Sequence, residues 1–147
     1  MGLILVIMIK ILLLTVGKLP QGPFGTIGAD FVDRLGHFAD VEHRAVKTDE
    51  ELLDRVPEGY LTVLLDAEGT NLSSEGLAKK LSGWIDQGAK LAFVIGGPHG
   101  FGPETKKAAD FRLSLSPMTT THDLAQIFFL EQLYRAFTII KGMTYHY

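Results

Sequence analysis

The chain has 147 residues, of which 46% are hydrophobic and 21% charged, and its net charge is -3. That length suits one domain, and the composition is that of an ordinary soluble globular protein. The charge excludes a globally basic nucleic-acid binder, and the absence of cysteine excludes disulfides, thiolate metal sites and a thiol nucleophile, in keeping with a cytoplasmic protein.

In chain order, Leu3 to Val16 is almost continuously apolar, broken by Lys10. It is shorter than the ~18–20 residues a helix needs to cross a bilayer. It has no basic leader and no small-residue cleavage site. Its β-branched content and the closing Gly17 predict a buried strand over Ile9 to Val16, so no membrane anchor is expected. Met8 is a second candidate start, which makes residues 1–7 an extension of that strand. Phe24, Ile27, Phe31, Leu35 and Phe38 recur every three or four residues and predict an amphipathic helix from Phe24 to Phe38. Val41 to Val46 reads as a short strand. Thr48-Asp-Glu-Glu51 reads as a capping box opening a short helix before Pro57. Tyr60 to Leu65 is a strong apolar strand. Ser73 and Ser74 precede a helix with Leu77, Leu81, Trp84 and Ile85 on one face. Leu91 to Ile95 is another buried strand, Pro103 to Asp110 a short helix, and Leu113 to Ser116 a weaker strand. A last helix runs from His122 to Lys141 and stops at Gly142.

Alternating strands and helices predict an α/β fold with a mostly parallel sheet covered by helices. Ligands in such sheets bind beyond the carboxyl ends of the strands. Three such ends stand out: Leu64 to Gly69, Val94 to Gly100, and Leu115 to Thr121. Phosphate chemistry does not fit them. There is no GK[ST] motif, and Gly100-Phe-Gly102-Pro-Glu-Thr105 lacks the third glycine of a dinucleotide fingerprint. His37, His43, His99, His122 and His146 are scattered without metal-ligand spacing, so no metal is expected. GxSxG is absent. Lys79-Lys80 and Lys106-Lys107 are the adjacent basic pairs and read as solvated helix faces. Asp66 and Glu68 read as loop solvation or dimer contacts before a catalytic carboxylate pair.

Taken together, "LLDAEG", "LSSEGLAKKL", "FVIGGPHGFGP", "LSLSPMTTTH" and "EQLYRAFTIIKGMTYHY", in this order and spacing, resemble the RlmH family. These are small SPOUT-class methyltransferases of bacterial large-subunit ribosomal RNA. The resemblance runs from about Met8 and is strongest from Leu61 onward. It implies a trefoil-knotted α/β fold in a single domain spanning residues 1–147, a homodimer, and S-adenosylmethionine (SAM) as cofactor. The implied reaction is methylation of N3 of a pseudouridine in 23S rRNA on the assembled ribosome.

The resemblance assigns cofactor contacts to Leu65, to Gly96 and Gly97, and to the third loop formed by Leu115, Ser116, Pro117, Met118, Thr119 and Thr120. It places His122 near the catalytic cleft and makes Tyr145 and His146 candidates for positioning the base. Deprotonation of the imide falls to a neutral histidine or a bound water. Glu131 and Arg135 stand at a helix-stabilising i,i+4 spacing.

The chain also departs from the family pattern. Threonine stands where proline usually precedes the histidine, Gln126 replaces an arginine, Asp123 adds a negative charge, and Thr144 and Tyr147 flank the tail where proline and arginine are usual. Each lost cation weakens phosphate contact. An alternative reading follows, in which the chain is a SAM-binding paralogue serving as a binding or regulatory module.

Overall fold

The structure is a computed structural model that describes residues 8–17, 20–97 and 99–146. The extension proposed at residues 1–7 and the tail position Tyr147 lie outside the described residues. In chain order the elements are β1 (Ile9–Val16), α1 (Gly22–Leu35), β2 (Ala39–Val46), α2 (Asp49–Arg55), β3 (Tyr60–Asn71), α3 (Ser74–Asp86), β4 (Lys90–Ile95), α4 (Pro103–Ala108), β5 (Phe111–Ser114) and α5 (His122–Ile140).

All five strands form one sheet in the order β2-β1-β4-β3-β5, and its described pairings are parallel. The apolar N-terminal run is therefore a central strand, with β2 on one side and β4 on the other. Its side chains alternate between two cores. Ile11 and Leu13 join Leu91, Phe93 and Val63 against α1, α3 and α5, in a cluster that includes Leu35, Leu81, Phe129 and Phe137. Leu12 and Leu14 join Leu64, Ala92 and Val94 on the opposite face, where Leu52 of α2 closes over them. Burial on both faces explains why these strands lack polar alternation. Each fully buried Leu or Phe contributes roughly 1.5–3 kcal/mol relative to exposure.

Several elements depart from the sequence expectation, each for a local reason. Helix α1 opens at Gly22, with a proline in its first turn that is preset for helix, and stops at Leu35. The residues after it turn so that Ala39 can pair with Ile9, which starts β2 two residues earlier than expected. Thr48 is the N-cap of α2 but makes no side-chain cap bond, so the expected capping box is not formed. Ser73 does cap α3, accepting a hydrogen bond from the Gly76 N–H at 3.0 Å. Strand β3 runs past Leu65 to Asn71, with a register shift against β5 between Leu65 and Thr70. Strand β5 spans Phe111–Ser114, two residues earlier than expected, because Phe111 pairs with Val63. None of the described helices is long and apolar enough to cross a membrane.

Candidate functional site

A cleft of about 800 Å³ opens beside Leu65, Asp66 and Ala67 of β3 and beyond the carboxyl ends of β4 and β5. Its floor is Leu65, Ile95 and Leu113, of which Ile95 and Leu113 are buried and Leu65 is half-buried. Gly96, Gly97 and Phe101 form one wall, and Leu115, Ser116, Met118, Thr119 and Thr120 another. The first half of α5 closes the third side through His122, Leu124 and Phe128. The structure thus brings together the three loops singled out in the sequence. Of the residues assigned there to a cofactor, Pro117 alone does not line the cleft.

Gly96 and Gly97 shape their wall with ordinary backbone. Neither has positive φ. A Cβ on Gly96 would stand 3.0 Å from the Phe101 ring, and one on Gly97 would stand 3.3 Å from Val16 Cγ1. Their missing side chains let the loop lie against Phe101 and the end of β1. The wall of the cleft is shaped by that packing, not by an unusual backbone. The positive-φ position in this stretch is Gly100, at 70°, whose N–H donates to the Gly97 carbonyl at 3.1 Å.

The third loop is held by its own serines. Ser114 Oγ donates to the Ser116 carbonyl at 3.1 Å, and Ser116 Oγ accepts from the Met118 N–H at 3.0 Å. Met118 itself stands 79% exposed at the rim. Thr121 then caps α5, its Oγ1 accepting from the Leu124 N–H at 3.4 Å.

His122 is the first residue of α5 and reaches back to the second loop. Its Nδ1 lies 2.9 Å from the Gly96 carbonyl, which can only accept, so Nδ1 carries the proton. Its Nε2 lies 3.4 Å from the Gln126 side-chain nitrogen. Gln126 is buried at 1% exposure.

The tail sits further out. Tyr145 and His146 do not line the cleft and connect to it through Glu131, which does. The Tyr145 hydroxyl donates to Glu131 Oε1 at 3.2 Å, and its ring meets Tyr134 edge-on at 4.9 Å. Burial, then the neighbouring Glu131 carboxylate, push the Tyr145 phenol above its ordinary range, so it remains a donor at neutral pH. Arg135 donates to Glu131 through Nε at 3.1 Å, and this bond raises the guanidinium pKa further. The Arg135 guanidinium also donates to His146 Nδ1 at 3.1 Å, while His146 Nε2 lies 2.8 Å from Glu75 Oε1 on α3. That hydrogen bond from His146 holds the Glu75 carboxyl below its usual range.

Sequence reasoning missed two contributors and misread a third. Phe101 was hidden because an aromatic after a glycine loop carries no periodic signal. Gln132, whose side-chain oxygen accepts from Ser74 Oγ at 2.6 Å, ties α5 to α3 at the cleft edge. Asp66, read from the sequence as loop solvation or a dimer contact, is not a solvated loop residue. Its carboxylate is 9% exposed and lies 3.2 Å from Arg112 and 3.8 Å from Lys106. Lys106 also meets Glu68 at 3.2 Å, so Asp66 and Glu68 fasten the end of β3 to α4 and β5. Among the described residues no group of three His, Cys, Asp or Glu is arranged to hold a metal ion.

A parallel sheet with a mostly apolar cleft beyond its strand ends, walled by backbone-rich loops, defines an α/β protein built to hold a nucleoside-sized ligand. A family described as "Predicted SPOUT methyltransferase" matches residues 9–146, and the chain belongs to that family. Among curated proteins, the chain is 39% identical to "Ribosomal RNA large subunit methyltransferase H" of Desulfotalea psychrophila, over 91% of this chain and 97% of that protein. It is also 39% identical to the protein of that name from Coprothermobacter proteolyticus, over 93% of this chain and 99% of the relative. Among solved structures, a probable methylase family protein from Haemophilus influenzae superposes with a TM-score of 0.58 at 15% identity, covering 95% of this chain and 70% of that one. A probable rRNA-methyltransferase from Porphyromonas gingivalis superposes with a TM-score of 0.55 at 8% identity, covering 90% of this chain and 70% of the other. These two likenesses are of fold.

Proposed function

We propose that the protein uses SAM to methylate N3 of a pseudouridine in 23S rRNA on the assembled ribosome, working as a homodimer in the cytoplasm. Residues 1–147 form one domain in this reading, with 1–7 an extension and the chain threaded as the family's trefoil knot. The observation that supports it most is the cleft, which collects the three cofactor loops expected from the sequence. Its lining among the described residues includes no Lys or Arg, while Asp66 and Glu131 are present. That lining suits a nucleoside bearing a cationic sulfonium and disfavours a phosphate chain.

SAM supplies an electrophilic methyl group when bound. Leu65, Ile95 and Leu115, which line the cleft, would provide the apolar bed for its adenine. The backbone of Ser116, Met118, Thr119 and Thr120, residues that line the cleft, would hold the adenine edge, and Gly96 and Gly97 would border the rest of the nucleoside. His122, Tyr145 and His146 belong to the side that meets the target base. The tail's tyrosine and histidine, fastened through Glu131 and Arg135, orient that base. Orientation of the acceptor against the methyl carries most of the rate advantage.

The protein is to be incubated with labelled SAM and with ribosomes lacking this methyl group. Methyl incorporation into intact particles well above that into deproteinised rRNA supports the reading. With a net charge of -3, shape fitted to the particle must stand in for general phosphate attraction. Gln126 favours the second reading, a SAM-binding module without this activity, because a buried neutral amide stands where the family carries a cation. SAM binding by calorimetry without methyl transfer to either substrate selects that reading.

A further inference from the structure

We infer that His122 is a positioning residue: backed by Gln126, its imidazole ties the carbonyl of Gly96 in the cofactor loop to the first turn of α5. This deepens the proposed reading of the cleft as a SAM site and rests on it for its functional consequence.

The geometry assigns each atom. The Gly96 carbonyl, 2.9 Å from Nδ1, can only accept, so the ring is the Nδ1–H tautomer. Its remaining lone pair, on Nε2, faces the side-chain nitrogen of Gln126 one helical turn on, at 3.4 Å. An amide nitrogen only donates, so Nε2 accepts. Both ring nitrogens therefore have partners within the chain. A general base needs a free lone pair within reach of the proton it takes. His122 has none in this arrangement.

Gln126 is itself fixed. It is 1% exposed and also borders a second pocket of about 370 Å³ between α1 and α5, with Phe24, Gly28, Asp33 and His43. The Thr121 cap sets the start of α5, so residue 122 projects over the loop that follows β4. The connection spans 26 residues of sequence and joins two walls of one cleft. Its effect is to hold Gly96 in place before a ligand arrives, which reduces the ordering cost of binding.

Three variants and one spectrum test it. H122A is expected to weaken SAM binding about tenfold, the scale of one lost hydrogen bond in a closed site. H122N has an amide N–H₂ that can still donate to Gly96 and no lone pair able to take a proton. It is expected to recover most of the affinity and turnover that H122A loses. If His122 is instead the base, H122N is as inactive as H122A while both keep wild-type SAM affinity, and the inference is overturned. The ¹⁵N spectrum of the histidine rings in ligand-free protein is expected to show Nδ1 protonated and Nε2 bare. Q126L is expected to leave that tautomer in place and move the Nε2 resonance toward its unbonded position. An Nε2–H tautomer in the wild type, or an unmoved resonance in a folded Q126L, overturns the inference whether or not SAM binds. Absence of SAM binding in the wild type would defeat the reading of the cleft, and the ring spectrum would still decide the strut.

Discussion

At the scale of single residues, the glycines show what a sequence carries and what it does not. A Gly-Gly pair at a strand exit announces close approach, and the cleft is where that signal pointed. It did not announce what is approached, because that depends on the ends of other strands. Gly97 faces Val16 at 3.3 Å, so G97V would drive two methyl groups into the end of β1. We expect G97V to lower stability by about 1–3 kcal/mol, to remain folded, and to weaken SAM binding at least tenfold by shifting the loop. A Cβ at Gly83, inside α3, meets nothing within 4 Å, so G83A serves as a control that leaves SAM binding unchanged and does not lower stability. Calorimetry and thermal melts of the pair settle it; normal SAM binding by G97V would show that the cofactor lies elsewhere. His43 supplies a second residue-scale expectation. Burial lowers its pKa, so the unfolded chain binds a proton at a higher pH than the folded one. Its contribution is full above the unfolded value near 6.5 and is lost as pH falls toward the lower folded value. H43Q should therefore flatten the loss of melting temperature between neutral and mildly acidic pH. A parallel slope in wild type and H43Q would show that His43 titrates alike in both states.

At the scale of elements, the sheet was legible where both faces are buried and illegible where a strand is pinned by charge. The apolar runs of β1, β3 and β4 could be read directly, and β1 was placed to the residue. The extension of β3 to Asn71 was not, because Asp66-Ala-Glu-Gly69 looks like a polar turn. It continues as strand because Asp66 pairs with Arg112 and Lys106, and because Gly69 lets the chain cross the Arg112 backbone closely. A Cβ on Gly69 would stand 2.6 Å from the Arg112 carbonyl oxygen. Backbone cannot yield as a flexible side chain does. G69A is expected to cost about 1–3 kcal/mol in chemical denaturation, with the slope unchanged. An unchanged midpoint would mean that the β3–β5 irregularity is softer than its geometry indicates. The tail was legible only by resemblance, since a three-residue aromatic end carries no period. Its anchoring through Glu131, Arg135 and Glu75 makes it part of the α5–α3 surface. H146A should keep SAM affinity within a few-fold and reduce turnover, as measured by calorimetry and methyl incorporation, because the cofactor loops do not touch it. Turnover equal to wild type would remove the tail from the mechanism.

At the scale of the whole molecule, alternation predicted a covered parallel sheet but not the order of its strands. Periodicity reports which face of an element is buried and is silent on its neighbours. Insertion of β4 between β1 and β3 places the β4 loop beside the β3 loop, and so makes one cleft from distant segments. The same limit applies to association. Apolar residues of α5 fall on more than one face. Phe129, Leu130, Leu133 and Phe137 are buried in the core, while Leu124 and Phe128, one turn apart, are 47% and 48% exposed. Gly28 of α1 comes against Ile127 and Leu130 of α5, and Ile27 on the same helix is exposed. Met118 adds to the apolar rim. A surface of this kind beside a ligand cleft is what a self-complementary interface would cover, and a stable dimer needs roughly 800 Å² from each partner. Light scattering at micromolar concentration should therefore give twice the 16.1 kDa chain mass. L124D/F128D, which places two carboxylates where the partner would pack, should give the single-chain mass while its circular dichroism stays native. Only the single-chain mass for the wild type would show that this face stays open in solution, and the cleft would then have to bind and act from one protomer alone.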